Sequence, residues 1–261
     1  MSTINVALRD IYLNNWQFIF NFGLHKNIEK PPFRPFLFGS SLNTDRKRRN
    51  RSTRSEQDEK MEMNEKGMVA EAIGSLAITL LVWGTIAGEN AAPHDSAVMA
   101  GAAGVTLAIM WMTFKGSEIL PIITIGNMAA GRTDWQTGAL NFCMQILGGL
   151  VGAAVLAWQG ETVFEAAEAM TATSAVTALV GGFLMMTVWD RLGGGWESGA
   201  FAAVLLVAGV TLASASSLGG TIVDGHIGDT DNFIAVFGTM IVGGIGAAAS
   251  LMLGDQIFEE E

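Results

Sequence analysis

Two carboxylates stand where acidic residues are costly. Glu71 lies inside the apolar run 68–87, and Glu118 lies in the apolar stretch after the second such run. A carboxylate within a bilayer is expensive and normally has a task. A further acidic group, Asp224, Asp229 and Asp231 with His226 among them, precedes the last apolar run. At a pore mouth such aspartates would attract cations, and His226 could ligate a metal or respond to pH. An ordinary solvated loop explains the same residues. The chain has no nucleotide-binding loop, no carboxylate pair with a partner base and no metal-ligand spacing. No catalytic residue, metal or cofactor is therefore expected. The single cysteine, Cys143, excludes an intrachain disulfide and reads as a small apolar packing residue.

The elements that must hold these groups follow from composition. Of 261 residues, 50% are hydrophobic and only 15% charged, with a formal net charge of −10. An acidic balance argues against nucleic acid as a partner. Of the 15 Lys and Arg residues, only Lys115, Arg132 and Arg191 follow Lys66. A soluble domain of that length would need far more surface charge, whereas membrane spans of roughly 20 apolar residues would not. Six spans are expected, near 68–87, 97–114, 138–158, 174–189, 198–218 and 233–253, the fourth being short. The loops 88–96, 159–173 and 219–232 contain no Lys or Arg, and all three later cations fall on the side of the N-terminal segment. This asymmetry predicts a multi-pass protein of the cell membrane with both termini cytoplasmic, and membrane lipids as its surroundings.

Three regions are expected. Residues 1–66 carry the basic run Arg46-Lys47-Arg48-Arg49-Asn50-Arg51 together with Pro31, Pro32 and Pro35, and keep no helical or strand period. They read as a basic cytoplasmic tail, disordered or preceding a native start at Met61, Met63 or Met68. The basic run could also meet anionic headgroups beside the first span. Residues 67–258 form the six-span domain, and 259–261 an acidic tail.

The segment Gly116-Ser117-Glu118-Ile119-Leu120-Pro121-Ile122-Ile123-Thr124-Ile125-Gly126, followed by Gly131-Arg132, resembles the first signature loop of the aquaporin and glycerol-facilitator family, the major intrinsic proteins. That loop reads G-x-H-x-N-P-A-V-T-x-G, then G-R. The Pro, Thr, Gly and Gly-Arg positions match; Glu118, Leu120 and Ile122 replace His, Asn and Ala. Ala70-Glu71-Ala72-Ile73-Gly74 is similar to the opening of the family's first span. Gln145-Ile146-Leu147-Gly148-Gly149-Leu150-Val151-Gly152-Ala153-Ala154 is similar to its third, and Gly238 with Gly243-Gly244 to its last.

The resemblance implies an all-α membrane protein with two inverted three-helix repeats, each contributing a re-entrant half-helix. It implies a homotetrameric channel for water or a small neutral solute such as glycerol. Glu118, Leu120, Pro121, Ile122 and Thr124 would then line the pore at the first box. Glu71, Gln145, Gly131 and Arg132 would support it, Glu71 by holding backbone amides of the re-entrant loop. Pro121 suits the first turn of a half-helix, where its missing N–H leaves nothing unpaired.

The second box departs further. Aligned on the glycines and Phe233, Gly228, Asp229, Thr230 and Asp231 take the N-P-A-R positions, with His226 nearby, so Asp231 replaces the filter arginine. The spacing to the last span is short, and the second half-helix could instead be largely deleted. Thr211, Ser214 and Ser216 stand near the family's filter histidine, and Gly104 and Val105 near its aromatic position. Thr177 or Thr173 stands near the expected second glutamate. A cation-permeable pore and a non-conducting relative remain as alternatives.

Overall fold

The computed structural model describes residues 65–84, 96–159, 169–223, 225 and 230–258. The remaining parts of the tails, together with Asp224, His226, Gly228 and Asp229, lie outside them. Among the described residues there are eight helices and no strand: α1 Glu65–Trp83, α2 Ser96–Thr113, α3 Pro121–Ala129, α4 Trp135–Trp158, α5 Ala172–Leu192, α6 Trp196–Val207, α7 Ala215–Val223 and α8 Thr230–Phe258. Four of them, α1, α4, α5 and α8, are long and apolar enough to cross a membrane.

The helix boundaries follow from local chemistry. Asp134 caps α4 by accepting the N–H groups of Gln136 and Thr137. Thr171 and Ser174 form a reciprocal capping box at the start of α5. That helix runs on to Leu192, so the fourth span is longer than 174–189. Its polar end is held by the ion pair between Asp190 and Arg132 of the α3–α4 loop, which places these two segments at the same end of the bundle.

The expected fifth span over 198–218 does not exist as one helix. Its first part is α6. The chain then turns at Gly209, whose φ is 76°. The Gly209 N–H bonds to Leu206 O, and the Val210 N–H to Leu205 O, which closes the helix in a Schellman motif. The same pair of bonds ends α3, from Gly131 to Met128 and from Arg132 to Asn127, with φ 73° at Gly131. After Gly209 a short non-helical segment leads into α7. That nine-residue helix is far too short to cross ~30 Å of hydrocarbon.

The short helices α3 and α7 occupy equivalent places. α3 packs on α8, and α7 packs on α4. A Cβ at Gly243 of α8 would meet Ile122 of α3, while one at Gly149 of α4 would meet the backbone of Ala215 and Ser216 in α7. The same interval along the chain separates Gly149 from Gly243, Gly152 from Gly246 and Pro121 from Ala215. Between α2 and α6 the contact is reciprocal. A Cβ at Gly104 would run into Gly199 O and Ala203, and one at Gly199 into Gly104 O and Ala108. These relations describe two structural repeats, α1–α4 and α5–α8. Gly104 is thus a helix-contact residue. Cys143 faces outward from α4 and packs no core.

Because backbone sits where a Cβ at Gly104 would go, Gly104→Val must push α2 and α6 apart. It is expected to destabilise the protein by about 1–3 kcal/mol. Gly101→Val, on the same helix with open space around it, should leave the thermal midpoint in detergent unchanged within a degree or two. Equal midpoints for both variants would contradict the close packing. The N-cap gives a second test. The Thr137 hydroxyl and N–H, with the Gln136 N–H, hold the Asp134 carboxyl below its ordinary range. A lowered carboxyl contributes stability above the unfolded value, ordinarily about 3.9, and loses it as pH falls through the folded one. Asp134→Asn keeps a capping oxygen but cannot titrate. Its unfolding curve should therefore lack part of the acid-side decline below about pH 4.

Candidate functional site

The site forms around the chain that leads into α3. Residues 117–120 are buried and not helical, so their peptide groups need partners from elsewhere. Glu71 of α1 supplies two of them. Its Oε1 accepts the Glu118 N–H at 2.5 Å and its Oε2 accepts the Ile119 N–H at 2.6 Å. The Glu118 carbonyl accepts from the Leu120 N–H at 2.7 Å and from Trp111 Nε1 at 3.2 Å. The Ile119 carbonyl accepts from the Ser75 hydroxyl. All four peptide groups of Glu118 and Ile119 are thereby satisfied.

The bond from Leu120 back to Glu118 makes a tight γ-turn centred on Ile119, whose φ is 63°. A β-branched residue in that region is strained, at a cost of roughly 1–3 kcal/mol. It persists because Glu71, Ser75 and Trp111 fix the peptides on both sides. A Cβ at Gly74 would collide with the Ile119 side chain, so Gly74 leaves the room this turn needs.

A network of polar side chains lies beside the turn. Gln145 of α4, fully buried, donates through Nε2 to Glu71 Oε2 at 2.7 Å and to Thr124 Oγ1 at 2.8 Å. One turn along α3, Asn127 Nδ2 donates to Glu118 Oε1 at 2.6 Å. Of the residues expected at the first box, Glu118 bonds to Asn127, and Thr124 is bonded toward α4 through Gln145. Pro121 is the first residue of α3 and Leu120 its N-cap, with no side-chain cap bond. Ile122 packs on Gly243 of α8. Leu120 is 2% exposed and lies in an apolar cluster with Leu107, Leu205, Ala213, Leu218 and Met240. Glu71 and Gln145 are in direct contact with the loop and α3, whereas Gly131 and Arg132 close the far end of α3.

The second re-entrant segment lies earlier than the alignment placed it. α7 begins at Ala215, so Ser214 and Ala215 correspond to Leu120 and Pro121. Thr230 and Asp231 instead open α8, where both are exposed. The alignment on glycines and Phe233 misplaced the box because Ala208-Gly209-Val210 reads as uninterrupted apolar sequence. Thr211, Ser214 and Ser216 accordingly belong to this hairpin and not to a fifth span. Thr211 Oγ1 lies 3.2 Å from Thr177 Oγ1 of α5, which joins this hairpin to that helix.

Sequence reasoning missed Ser75, Thr79, Trp111, Asn127 and Ser216. Thr79 Oγ1 donates to the Ser75 carbonyl and meets Ser216 Oγ at 2.8 Å. Glu71, Ser75 and Thr79 form one fully buried polar stripe at i, i+4 and i+8, which runs from the α3 hairpin to the α7 hairpin. That spacing within an apolar span was the signal available.

No family model matches the chain, and no curated protein matches it either. Among solved structures, the X-ray structure of the aquaglyceroporin from Plasmodium falciparum matches with a TM-score of 0.58 at 14% identity. The match covers 74% of this chain and 96% of that one. The fold is an aquaglyceroporin-like, all-α membrane fold. In this chain each of the two short helices, α3 and α7, packs on the last helix of the opposite repeat.

Removing the Glu71 carboxylate would leave two buried peptide N–H groups and Gln145 without their acceptor. Glu71→Ala is expected to cost about 3 kcal/mol or more, since each orphaned buried donor costs about 1–3 kcal/mol. Ser75→Ala, which frees only one carbonyl, should cost about 1 kcal/mol. Thermal unfolding of purified protein in detergent would compare the two. A Glu71→Ala loss no greater than that of Ser75→Ala would remove Glu71 from its place at the centre of the site.

Proposed function

We propose that the chain is a passive transmembrane channel for water, small neutral solutes such as glycerol, or both. It works as a homotetramer in the cell membrane with both termini cytoplasmic. The observation that carries this reading is the pair of half-helices, α3 and α7, that enter the bundle and stop within it. Helix N-termini brought into a bundle core present positive dipole ends, which disfavour cations and leave neutral solutes unhindered. Both boxes lack the polar side chain of the family pattern at the N-cap or have a small one, Leu120 and Ser214. The solute would meet an apolar wall from the first repeat and hydroxyl groups from the second. The Arg132–Asp190 pair joins two segments that charge asymmetry assigns to the cytoplasmic side.

A second reading has its own observation. Leu120 sits in the apolar cluster between the half-helices, and an apolar constriction can close a pore by dewetting. The protein would then be non-conducting at rest.

Stopped-flow light scattering on proteoliposomes separates the two. Under the channel reading, sucrose shock shrinks loaded vesicles several-fold faster than protein-free ones, or a glycerol gradient accelerates re-swelling. Leu120→Asn should raise either rate further. Rates equal to protein-free vesicles for the wild type, with acceleration only in Leu120→Asn, would establish the closed form. No acceleration in either protein would end the channel reading.

A further inference from the structure

Helix α4 is built inside out. Its buried face carries Gly138, Gln145, Gly148, Gly149, Gly152 and Ala153, most of them small and one polar. Leu140, Cys143, Leu147, Val151 and Ala154 are exposed, and their spacing of three or four keeps them on one face. That stripe is apolar throughout, with Leu140, Leu147 and Val151 at 43%, 47% and 45% exposure. A helix facing water turns its apolar stripe to the core and its polar residues outward. The outer face of α4 therefore meets lipid or another protein.

Residue size decides between the two. Membrane helices that pack on one another approach through small residues. On α4 the glycines all face inward. A Cβ at Gly138 would strike Met128, one at Gly148 the backbone of Ala72, one at Gly149 the backbone of Ala215, and one at Gly152 Thr79. The outer stripe keeps Leu and Val, whose branched side chains hold a second helix away.

Both ends of the stripe are marked. Trp135 opens the helix and Trp158 closes it, at 72% and 86% exposure. A helix of 24 residues sets them roughly 35 Å apart along its axis. Tryptophan settles at headgroup level, on either border of a hydrocarbon layer ~30 Å thick. The exposed Trp196 opens α6 shortly after Asp190, at the end of the bundle where Asp190 pairs with Arg132. It belongs to the same border as Trp135.

We infer that the outer face of α4 is a lipid boundary. Acyl chains cover the stripe from Leu140 to Ala154, and Trp135 and Trp158 seat it in a bilayer with about 30 Å of hydrocarbon. Copies of the chain that assemble do so through other helices. This boundary follows from the membrane-spanning fold and stands whether or not a solute passes.

Cys143 is the single cysteine and lies on this stripe, about 12 Å along the helix from Trp135. A nitroxide attached there reports on the face without any substitution. The full-length protein is labelled in detergent and reconstituted in dioleoylphosphatidylcholine vesicles. Collisions with oxygen, which concentrates in hydrocarbon, should be several-fold more frequent than with a water-soluble nickel chelate. In a Cys143→Ala background, labels at Leu140→Cys, Leu147→Cys and Val151→Cys should show the same preference, greatest at position 147, midway between the tryptophans. Low access to both reagents would put protein on this face, a second copy where the labels broaden one another, and would overturn the inference. Ready access to nickel would make the face aqueous and overturn it equally. A preference for oxygen that climbs from position 140 to 151 without a maximum between would overturn the placing of the two tryptophans on opposite borders.

Discussion

A helix that stops inside a bilayer leaves peptide groups with no water to satisfy them, and lipid supplies none. The carboxylate of Glu71 answers that constraint here. It accepts from two consecutive peptide N–H groups and from Gln145. A neutral amide at this position would offer one acceptor oxygen and two donors, and could not hold both peptides. The pair of acceptor oxygens that makes Glu71 costly in an apolar span is thus the property that lets α3 begin where it does. The strained φ at Ile119, the close fit of Gly74 and the bond from Trp111 all depend on that anchor.

The two repeats meet the same constraint unequally. In the first, a carboxylate on α1 holds the hairpin. In the second, among the described residues, Thr177 on α5 reaches Thr211 by a hydroxyl contact. The second hairpin gains a different brace, since Ser216 bonds to Thr79 at the end of the α1 stripe. α1 therefore supports both re-entrant segments, the near one through Glu71 and Ser75 and the far one through Thr79. Glycine contacts supply the rest. Where helices approach until backbone meets backbone, as at Gly104 and Gly199 or Gly149 and Ala215, dispersion and close fit replace the hydrophobic drive that lipid does not provide.

Much of this was legible in the residues. The charge desert after Lys66, the apolar runs and the lysine-free loops identify membrane helices without any structure. Leu120-Pro121 marks the start of α3, because proline is tolerated only in a first turn. Glu71 announced itself as a carboxylate in an apolar run. The second hairpin was not legible. Ala208-Gly209-Val210 has the composition of span interior, and a glycine within a membrane helix either packs a neighbour or ends the helix; hydropathy reads both alike. The glycines and Phe233 then drew the second box too far along the chain, to a stretch of which Thr230 and Asp231 open α8.

What the sequence by itself determined was the solvent: apolar spans follow from apolar length and sparse charge, and the start of α3 follows from proline, all of them local properties. Only the tertiary structure decided which polar groups share a site. Glu71, Glu118, Thr124, Asn127 and Gln145 come from three separated segments, and their partnership depends on α1, α3 and α4 approaching within hydrogen-bond distance. It also decided that one apolar run holds two helices, because the bonds from Gly209 and Val210 that end α6 form only when the chain takes a left-handed turn, a choice that composition leaves open.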